Sequence, residues 1–172
     1  MRYIKQLFAN EYDNTAYCDF NSTAASAIAG KDILLAVWDS TGANLLAVAG
    51  QQSLTINRSA EAIEVTSKDT EGGWKSKLAG MKEWSIDTDG LYVPSDAAHE
   101  ALATAFQDGD YVCIKVVNTK TSKGMFGGLA TITEYNVEAP YDDATTFSMT
   151  LEGAGALLDL SINTIATDTM PS

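Results

Sequence analysis

The sequence predicts a mainly β fold, an antiparallel β-sandwich or barrel with one flanking α-helix. Several segments alternate between apolar and polar side chains, and this period of two is typical of strands that bury one face. Clusters of Gly, Asn, Asp and Ser separate these segments, as expected of turns between short strands. Residues 95–107 alone combine a helical period with helix-end signals. A chain of 172 residues is long enough for one domain with a substantial core.

The division of the chain follows from these patterns. Residues 1–30 place aromatic side chains among small polar ones without a regular period, so we expect an N-terminal arm that packs on its own domain or orders against a neighbouring chain. The β domain is expected at residues 31–157, and a C-terminal arm or tail at residues 158–172. The expected strands are 31–38, 44–49, 51–68 as two strands around a polar bend at 57–61, 81–87, 110–117, 125–137 and 145–152.

The helix predicted at 95–107 carries a narrow apolar stripe rich in alanine. Asp96 would place a negative charge in its first turn, and Gly109 would end it in a left-handed conformation. Because the stripe consists of small side chains, the helix is expected to lie close against the sheet. His99 falls beside the stripe and is expected at the surface or at its boundary with the core. The apolar positions are Ala98, Ala101, Leu102, Ala105 and Phe106.

The charge balance is strongly acidic, with 11 Lys and Arg residues against 23 Asp and Glu residues and a formal net charge of -12. Such a surface does not grip nucleic acid by neutralising phosphates, although it can lie beside DNA. In the simplest interpretation it keeps the protein soluble. No segment approaches the ~18 apolar residues of a membrane helix, and the first residues lack the apolar core of an export signal, so neither membrane association nor export is expected.

No catalytic, cofactor or metal site is predicted, and the protein is not expected to be an enzyme. His99 is the single histidine, and no G-x-S-x-G motif or phosphate-binding glycine loop is present. Cys18 and Cys113 lie far apart without metal-ligand spacing, which also implies no disulfide framework. Because Cys113 lies within an apolar run, it is expected to be a small buried side chain.

One acidic segment imitates the ligand spacing of a calcium-binding EF-hand loop. The residues before Ser85 alternate like a strand, whereas an EF-hand requires a helix there. We therefore predict no metal at this segment and interpret residues 87–90 as a tight turn that leads to the helix. The matching residues are Ser85, Asp87, Asp89, Gly90 and Asp96.

The most informative position is Trp74, which follows Gly72 and Gly73 in a flexible polar segment. An indole in such a segment either folds back onto its own sheet or contacts another subunit, as aromatic residues at interfaces do. The second interpretation predicts a subunit interface in this part of the chain. Its candidate residues are Arg58, Lys68, Asp69, Gly72, Gly73, Trp74 and Lys75.

Several short strings surround Trp74 in a fixed order, namely NRSAE at 57–61, IEVTSKD at 63–69, GWK at 73–75 and KEWSI at 82–86. GKDILL precedes them at 30–35, and AP at 139–140, DD at 142–143 and TLEG at 150–153 follow them. Through these strings, residues 30–157 resemble the major tail protein that forms the tail tube of long-tailed, non-contractile (siphovirus-type) bacteriophages.

The resemblance implies the tail-tube fold and a structural role in the virion tail. It implies that copies of the chain form hexameric rings and that these rings stack into a hollow tube, assembled with other tail proteins in the cytoplasm of the bacterial host. Genomic DNA would pass through the bore without specific binding, past carboxylates and hydroxyls that repel phosphate. A long loop near Trp74 would reach a neighbouring subunit or the adjacent ring.

Two other functions stay open at this point. The tube of a contractile tail or of a contractile secretion system would share the fold, and a sheath-protein gene beside this one would favour it. A β-sandwich carbohydrate-binding or adhesion module would show an exposed aromatic cluster on one sheet face. The three tryptophans, Trp38, Trp74 and Trp84, are dispersed along the chain.

Overall fold

The computed structural model of the protein describes residues 27–66, 71–162 and 169–171. Within these residues, eight strands form one antiparallel sheet with one α-helix beside it. The predicted mainly β fold is therefore confirmed. Most of the predicted N-terminal arm, and residues 163–168 of the predicted C-terminal arm, lie outside the described residues.

The sheet has two halves that share one long strand. Its order is β2-β1-β5-β6-β7-β4-β3, and β8 also pairs with β6. The first part of β6 pairs with β5 and its second part pairs with β7. The helix, α1 (Ala97–Asp108), connects β4 to β5. The strands are β1 (Ile33–Trp38), β2 (Leu45–Ala47), β3 (Gln51–Glu64), β4 (Lys77–Leu91), β5 (Val112–Asn118), β6 (Lys123–Glu138), β7 (Thr146–Gly153) and β8 (Leu158–Asp159).

A single hydrophobic core receives side chains from both halves of the sheet. Leu35 of β1 and Ile114 of β5 belong to the same buried cluster as Ile86 of β4 and Leu151 of β7. Because one cluster contains residues from strands on both sides of β6 in the sheet order, the sheet must fold over so that its halves face each other. The predicted alternation of β7 is confirmed, with Phe147, Met149 and Leu151 buried.

A glutamine side chain closes the gap between the two ends of the folded sheet. Gln51, the first residue of β3, accepts a hydrogen bond from the Leu35 backbone N–H at Oε1 (2.9 Å). Its Nε2 donates to the Leu35 carbonyl (2.6 Å) and to the Val48 carbonyl (2.8 Å). The side-chain amide thus takes the place of a neighbouring strand's peptide group and forms hydrogen bonds with the N–H and the carbonyl of Leu35 in β1.

Helix α1 begins two residues later than the sequence predicts. Asp96 is its N-cap and accepts a hydrogen bond from the His99 N–H (3.3 Å), while Gly109 ends it with a φ of 74° as predicted. Because the Asp96 carboxylate caps the helix, Asp96 lies before the first turn and not within it.

The expectation that His99 lies at the surface or at its boundary with the core is wrong, since the side chain is only 2% exposed. Its Nε2 lies 3.0 Å from the Ala49 carbonyl, which can only accept, so this nitrogen carries the proton. Its Nδ1 then accepts a hydrogen bond from the Tyr135 hydroxyl (3.1 Å), and its ring packs edge-on against Phe147. Both ring nitrogens are satisfied, and this allows an imidazole to replace a hydrophobic side chain on the buried helix face.

Three further expectations about the strands are wrong. Residues 57–61 do not bend the chain, because β3 stays paired with β4 and a β-bulge near Ala60 absorbs the irregularity. Residues 87–90 are not a turn, because β4 continues to Leu91 between β3 and β7. Cys113 is exposed and not buried, because its neighbours Val112 and Ile114 occupy the core face of β5.

Candidate functional site: a protruding ribbon and a polar sheet face

Strands β3 and β4 continue beyond the rest of the sheet as a two-stranded ribbon. Pairing between β4 and β7 starts at Ser85, whereas β3 and β4 stay paired from Arg58 and Trp84 to Glu64 and Lys77. We call residues 58–66 and 71–84 the ribbon. An isolated two-stranded hairpin is at best marginally stable in water, so a ribbon of this length is expected to be supported by a partner.

The ribbon exposes large apolar side chains. Trp74 is 79% exposed and Met81 is 82% exposed. Single exposed apolar residues are normal on a protein surface, but a group of them on one thin projection marks an interaction site. The exposed large apolar residues of the ribbon are Ile63, Val65, Trp74, Leu78 and Met81.

Four of the seven predicted interface residues lie together at the ribbon tip. Gly72 and Gly73 have φ values of 74° and 68°, a left-handed conformation that glycine adopts without strain, and they turn the chain. The indole of Trp74 lies over Gly72, where a Cβ would approach its Cδ1 to 3.1 Å. Lys75 Nζ lies 3.8 Å from Glu64 Oε2 across the ribbon, an exposed ion pair that contributes little stability.

Of the other three predicted residues, the structure describes Arg58. Arg58 lies at the base of the ribbon, where its guanidinium stands 5.0 Å from the centroid of the Phe126 ring. Lys68 and Asp69 lie outside the described residues. Of the two interpretations of Trp74, the exposed indole does not fit packing on its own sheet.

The ribbon is fixed to the domain by Trp84, a contact that the sequence analysis missed. The Trp84 side chain is buried and donates its indole N–H to the Gly155 carbonyl (2.6 Å). The ring fills a slot that exists because Gly128 of β6 and Gly153 of β7 have no side chains. The available signal was a glycine within a predicted strand, because such a glycine often marks a position that another group approaches closely.

The outer face of strands β3, β4, β7 and β6 is polar and acidic. Directly opposed residues of paired strands share a face, and the pairing places Asn57 beside Ser85, Asp87 beside Thr150, and Asn136 beside Ser148. None of the paired residues on this face is Lys or Arg. We call it the acidic face, and its carboxylates are Glu83, Asp87, Asp89, Glu134, Glu138 and Glu152.

Hydroxyl and amide groups hold the β4 carboxylates of this face in place. Ser53 donates to Asp89 Oδ1 (2.7 Å), and Asn57 Nδ2 donates to Asp87 Oδ2 (2.8 Å). Thr150 donates to the other oxygen of Asp87 (2.8 Å). Asp87 and Asp89 of the calcium-like segment therefore project from a strand. Within the described ranges, no group of three or more His, Cys, Asp or Glu side chains could hold a metal ion.

This four-stranded half of the sheet has two open edges. In the part of the chain that the structure describes, no strand pairs with β3 on the side away from β4. Likewise, no described strand pairs with residues 131–138 of β6 on the side away from β7. Unpaired edges can accept a strand from another chain, so this half of the sheet is suited to continue into a neighbour. No helix among the described residues is long and apolar enough to cross a membrane.

Comparison with known proteins identifies the family of this chain. The family described as phage tail tube protein matches residues 27–159. A gene transfer agent tail, solved from empty particles with C6 symmetry, superposes with a TM-score of 0.68 and 29% identity over 77% of this chain and 98% of that one. No curated protein sequence matches this chain.

Two more distant structures show the fold alone. The tail tube of SPP1 superposes with a TM-score of 0.62 and 20% identity, covering 75% of this chain and 77% of that one. A chain from the sixfold-symmetrised baseplate of the anti-feeding prophage superposes with a TM-score of 0.56 and 12% identity, covering 81% of this chain and 98% of that one.

Proposed function

Because this chain belongs to the phage tail tube protein family, we propose that its copies form sixfold rings that stack into the tube of a long, non-contractile tail. The chain is a structural component of the virion tail. Sixfold rings are supported by the C6 symmetry of the gene transfer agent tail, which is similar in sequence as well as in fold. The anti-feeding prophage chain, at 12% identity, supports the fold and gives no reason to prefer a contractile tube.

The observation that carries this proposal is the four-stranded half-sheet with two open edges. If β3 of one copy pairs with residues 131–138 of β6 in the next, the sheet continues around a ring and no edge stays unpaired. Six copies with four strands each would close a barrel of about 24 strands, more than the 16–18 strands of porins that already enclose an aqueous channel. The bore would therefore be wide and continuous.

We place the acidic face on the inside of this barrel. Its carboxylates would repel the phosphates of a passing duplex, so DNA would find no cationic group to bind along the wall. The opposite face of the same strands supplies the hydrophobic core and cannot line a water-filled channel. The proposed role is thus to guide DNA without binding it, and it requires no catalytic step.

The ribbon is proposed as the main contact between subunits outside the barrel. Its tip residues Gly72, Gly73, Trp74 and Lys75 are available for this contact, and Lys68 and Asp69 are included from the sequence. We further propose that residues 31–157 are the ring-forming domain, flanked by arms at 1–30 and 158–172. Assembly would take place in the host cytoplasm, with other tail proteins at the ends of the tube.

Negative-stain microscopy of concentrated protein tests the assembly, with tubes that have an axial hole and sixfold end views as the expected result. A monodisperse monomer at every concentration and salt condition, with no rings or filaments, would contradict the proposal.

A charge reversal tests which face lines the bore. Glu134→Lys with Glu152→Lys should give tubes that retain DNA at low salt and release it at high salt, because cations would now face the phosphates. The matched control reverses two exposed acids outside the acidic face, Asp108→Lys with Asp143→Lys. If the two variants retain equal amounts of DNA, the acidic face does not line the bore.

A further inference from the structure

A groove of about 800 Å³ lies between helix α1 and the strands β1 and β5. Its walls are largely apolar and include Trp38, Ala101, Tyr111 and Leu129. Tyr111 is 65% exposed and Leu129 is 44% exposed, so the groove is open and its apolar wall is in water. A volume of this size accommodates a small group of side chains.

The rim of the groove is acidic. Asp39, Glu100 and Asp110 lie along it, and none of the described residues that line it is Lys or Arg. Asp39 is ionised at neutral pH, because hydrogen bonds from the side chains of Thr41 and Asn44 hold its pKa at about 2. An occupant of the groove should therefore combine an apolar or aromatic group with positive charge.

We propose that the groove receives the ribbon tip of a second copy of this chain, with the Trp74 indole inside it and Lys75 and Lys77 at its acidic rim. This inference rests on the proposed self-assembly and adds the surface that the ribbon contacts. The tip has the required chemistry, since the exposed Trp74 is followed by Lys75 and, two residues later, by Lys77, while the acidic Glu71 lies on the other side of the two glycines. Within one chain the Trp74 side chain is 79% exposed and occupies no groove.

The charge distribution along the chain supports the pairing. Lys75 at the tip and Lys77 beside it in β4 face Glu64 within their own ribbon. On docking, Lys75 would exchange its exposed pair with Glu64 for the rim carboxylates of Glu100 and Asp110. Opposite charges at the edge of an apolar contact orient the partners and disfavour wrong registers. An aromatic residue buried at the centre of a contact with a polar rim is the usual arrangement of a strong interface position.

Cys113 lines this groove as an exposed residue whose sulfur is partly buried by the groove wall, and it allows a direct test. In a Cys18→Ser background, Lys75→Cys is introduced so that Trp74 stays in place. Assembled tubes are treated with a short bismaleimide at mildly alkaline pH, since burial raises the pKa of the Cys113 thiol. The expected product is a covalent dimer that links position 75 of one copy to Cys113 of another, identified by peptide mass spectrometry.

Two controls belong to this experiment. Cys113→Ser in the same background should abolish the dimer. Lys120→Cys, an exposed lysine at the β5–β6 turn, should give no link to Cys113 in otherwise identical tubes. If tubes form but positions 75 and 113 do not link, the docking is overturned and the tube proposal stands. If the parent protein forms no tubes, both proposals fail.

A charge exchange provides an independent measurement. Lys75→Glu with Lys77→Glu should raise the protein concentration needed for tubes about tenfold, and so should Glu100→Lys with Asp110→Lys. The variant with all four changes should assemble at a concentration close to that of the parent, because the charges attract again. Additive weakening in the fourfold variant would show that the tip and the groove do not meet.

Discussion

Gly153→Ala is expected to destabilise the domain by about 2–4 kcal/mol through Trp84. A Cβ at position 153 would lie only 2.3 Å from Cε2 and Nε1 of the indole, a distance at which the ring must move. It cannot move freely, because on its other flank Gly128 leaves so little space that a Cβ there would be 2.9 Å from Cζ2. Overpacking of this kind costs about 1–3 kcal/mol, and loss of the 2.6 Å hydrogen bond to the Gly155 carbonyl adds about 1 kcal/mol.

The assay is urea unfolding of the monomer, followed by tryptophan fluorescence. Gly155→Ala is the matched control, because a Cβ at this position meets nothing within 4 Å and the carbonyl that accepts from Trp84 is kept. The control should stay within about 0.5 kcal/mol of the parent, as surface substitutions do. Equal unfolding midpoints for the two variants would show that the indole is not confined as described.

Three further outcomes are expected. Gln51→Ala should cost about 1–3 kcal/mol in urea unfolding, because the Leu35 N–H loses its partner and the Leu35 carbonyl keeps only the bond from the Val48 N–H, whereas Gln52→Ala, which changes an exposed side chain, should cost little. Trp74→Ala should unfold at the same urea concentration as the parent yet require a higher concentration to form tubes, as measured by sedimentation; unchanged assembly would exclude Trp74 as an interface residue. In a Cys18→Ser monomer, alkylation of Cys113 by iodoacetamide should be slower at pH 8 than that of a model thiol and should rise at higher pH, because its raised pKa keeps the reactive thiolate scarce; a rate equal to the model thiol at pH 8 would contradict the shift.

The sequence predicts strands well where apolar and polar residues alternate regularly, because one face of such a strand is buried. β7 alternates as expected, and Gly109 ends the helix as expected, because both signals are local. A carboxylate near a helix start is also a local signal, but it does not tell which residue is the first of the helix. Asp96 proved to be the N-cap and not a residue of the first turn. Local chemistry thus predicts which elements exist better than it predicts where they end.

The wrong expectations have a common cause in contacts between residues far apart in the chain. Residues 87–90 have turn-forming composition, yet β3 and β7 pair on either side of them and keep them extended. His99 is buried because Ala49 and Tyr135, both distant in sequence, satisfy its two nitrogens. Cys113 lies in a strand whose two faces are both apolar in sequence, so composition alone does not tell the core from the groove.

The candidate site is predictable only in part for the same reason. Trp74 stands out from the sequence because two glycines and polar neighbours surround it. The acidic face has no such signature, because its carboxylates come from three separate strands and share a face only through the pairing registers. The groove likewise brings α1 and β5 together with β1, which lies far from both in the sequence. The surface that the ribbon is proposed to contact is therefore a product of the fold.

The junction at Trp84 connects the stability of the domain to its assembly. The described residues of the ribbon tip are exposed and do not belong to the core cluster, so substitutions there can change assembly without changing the free energy of unfolding. The base of the ribbon is different, because Trp84 is at once a core residue and the last support of two strands that are weak in isolation. Loosening Trp84 would leave the ribbon with many orientations, and fixing one of them on assembly would cost conformational entropy. Variants of the junction should therefore lose stability and assembly together, whereas variants of the tip should lose assembly alone.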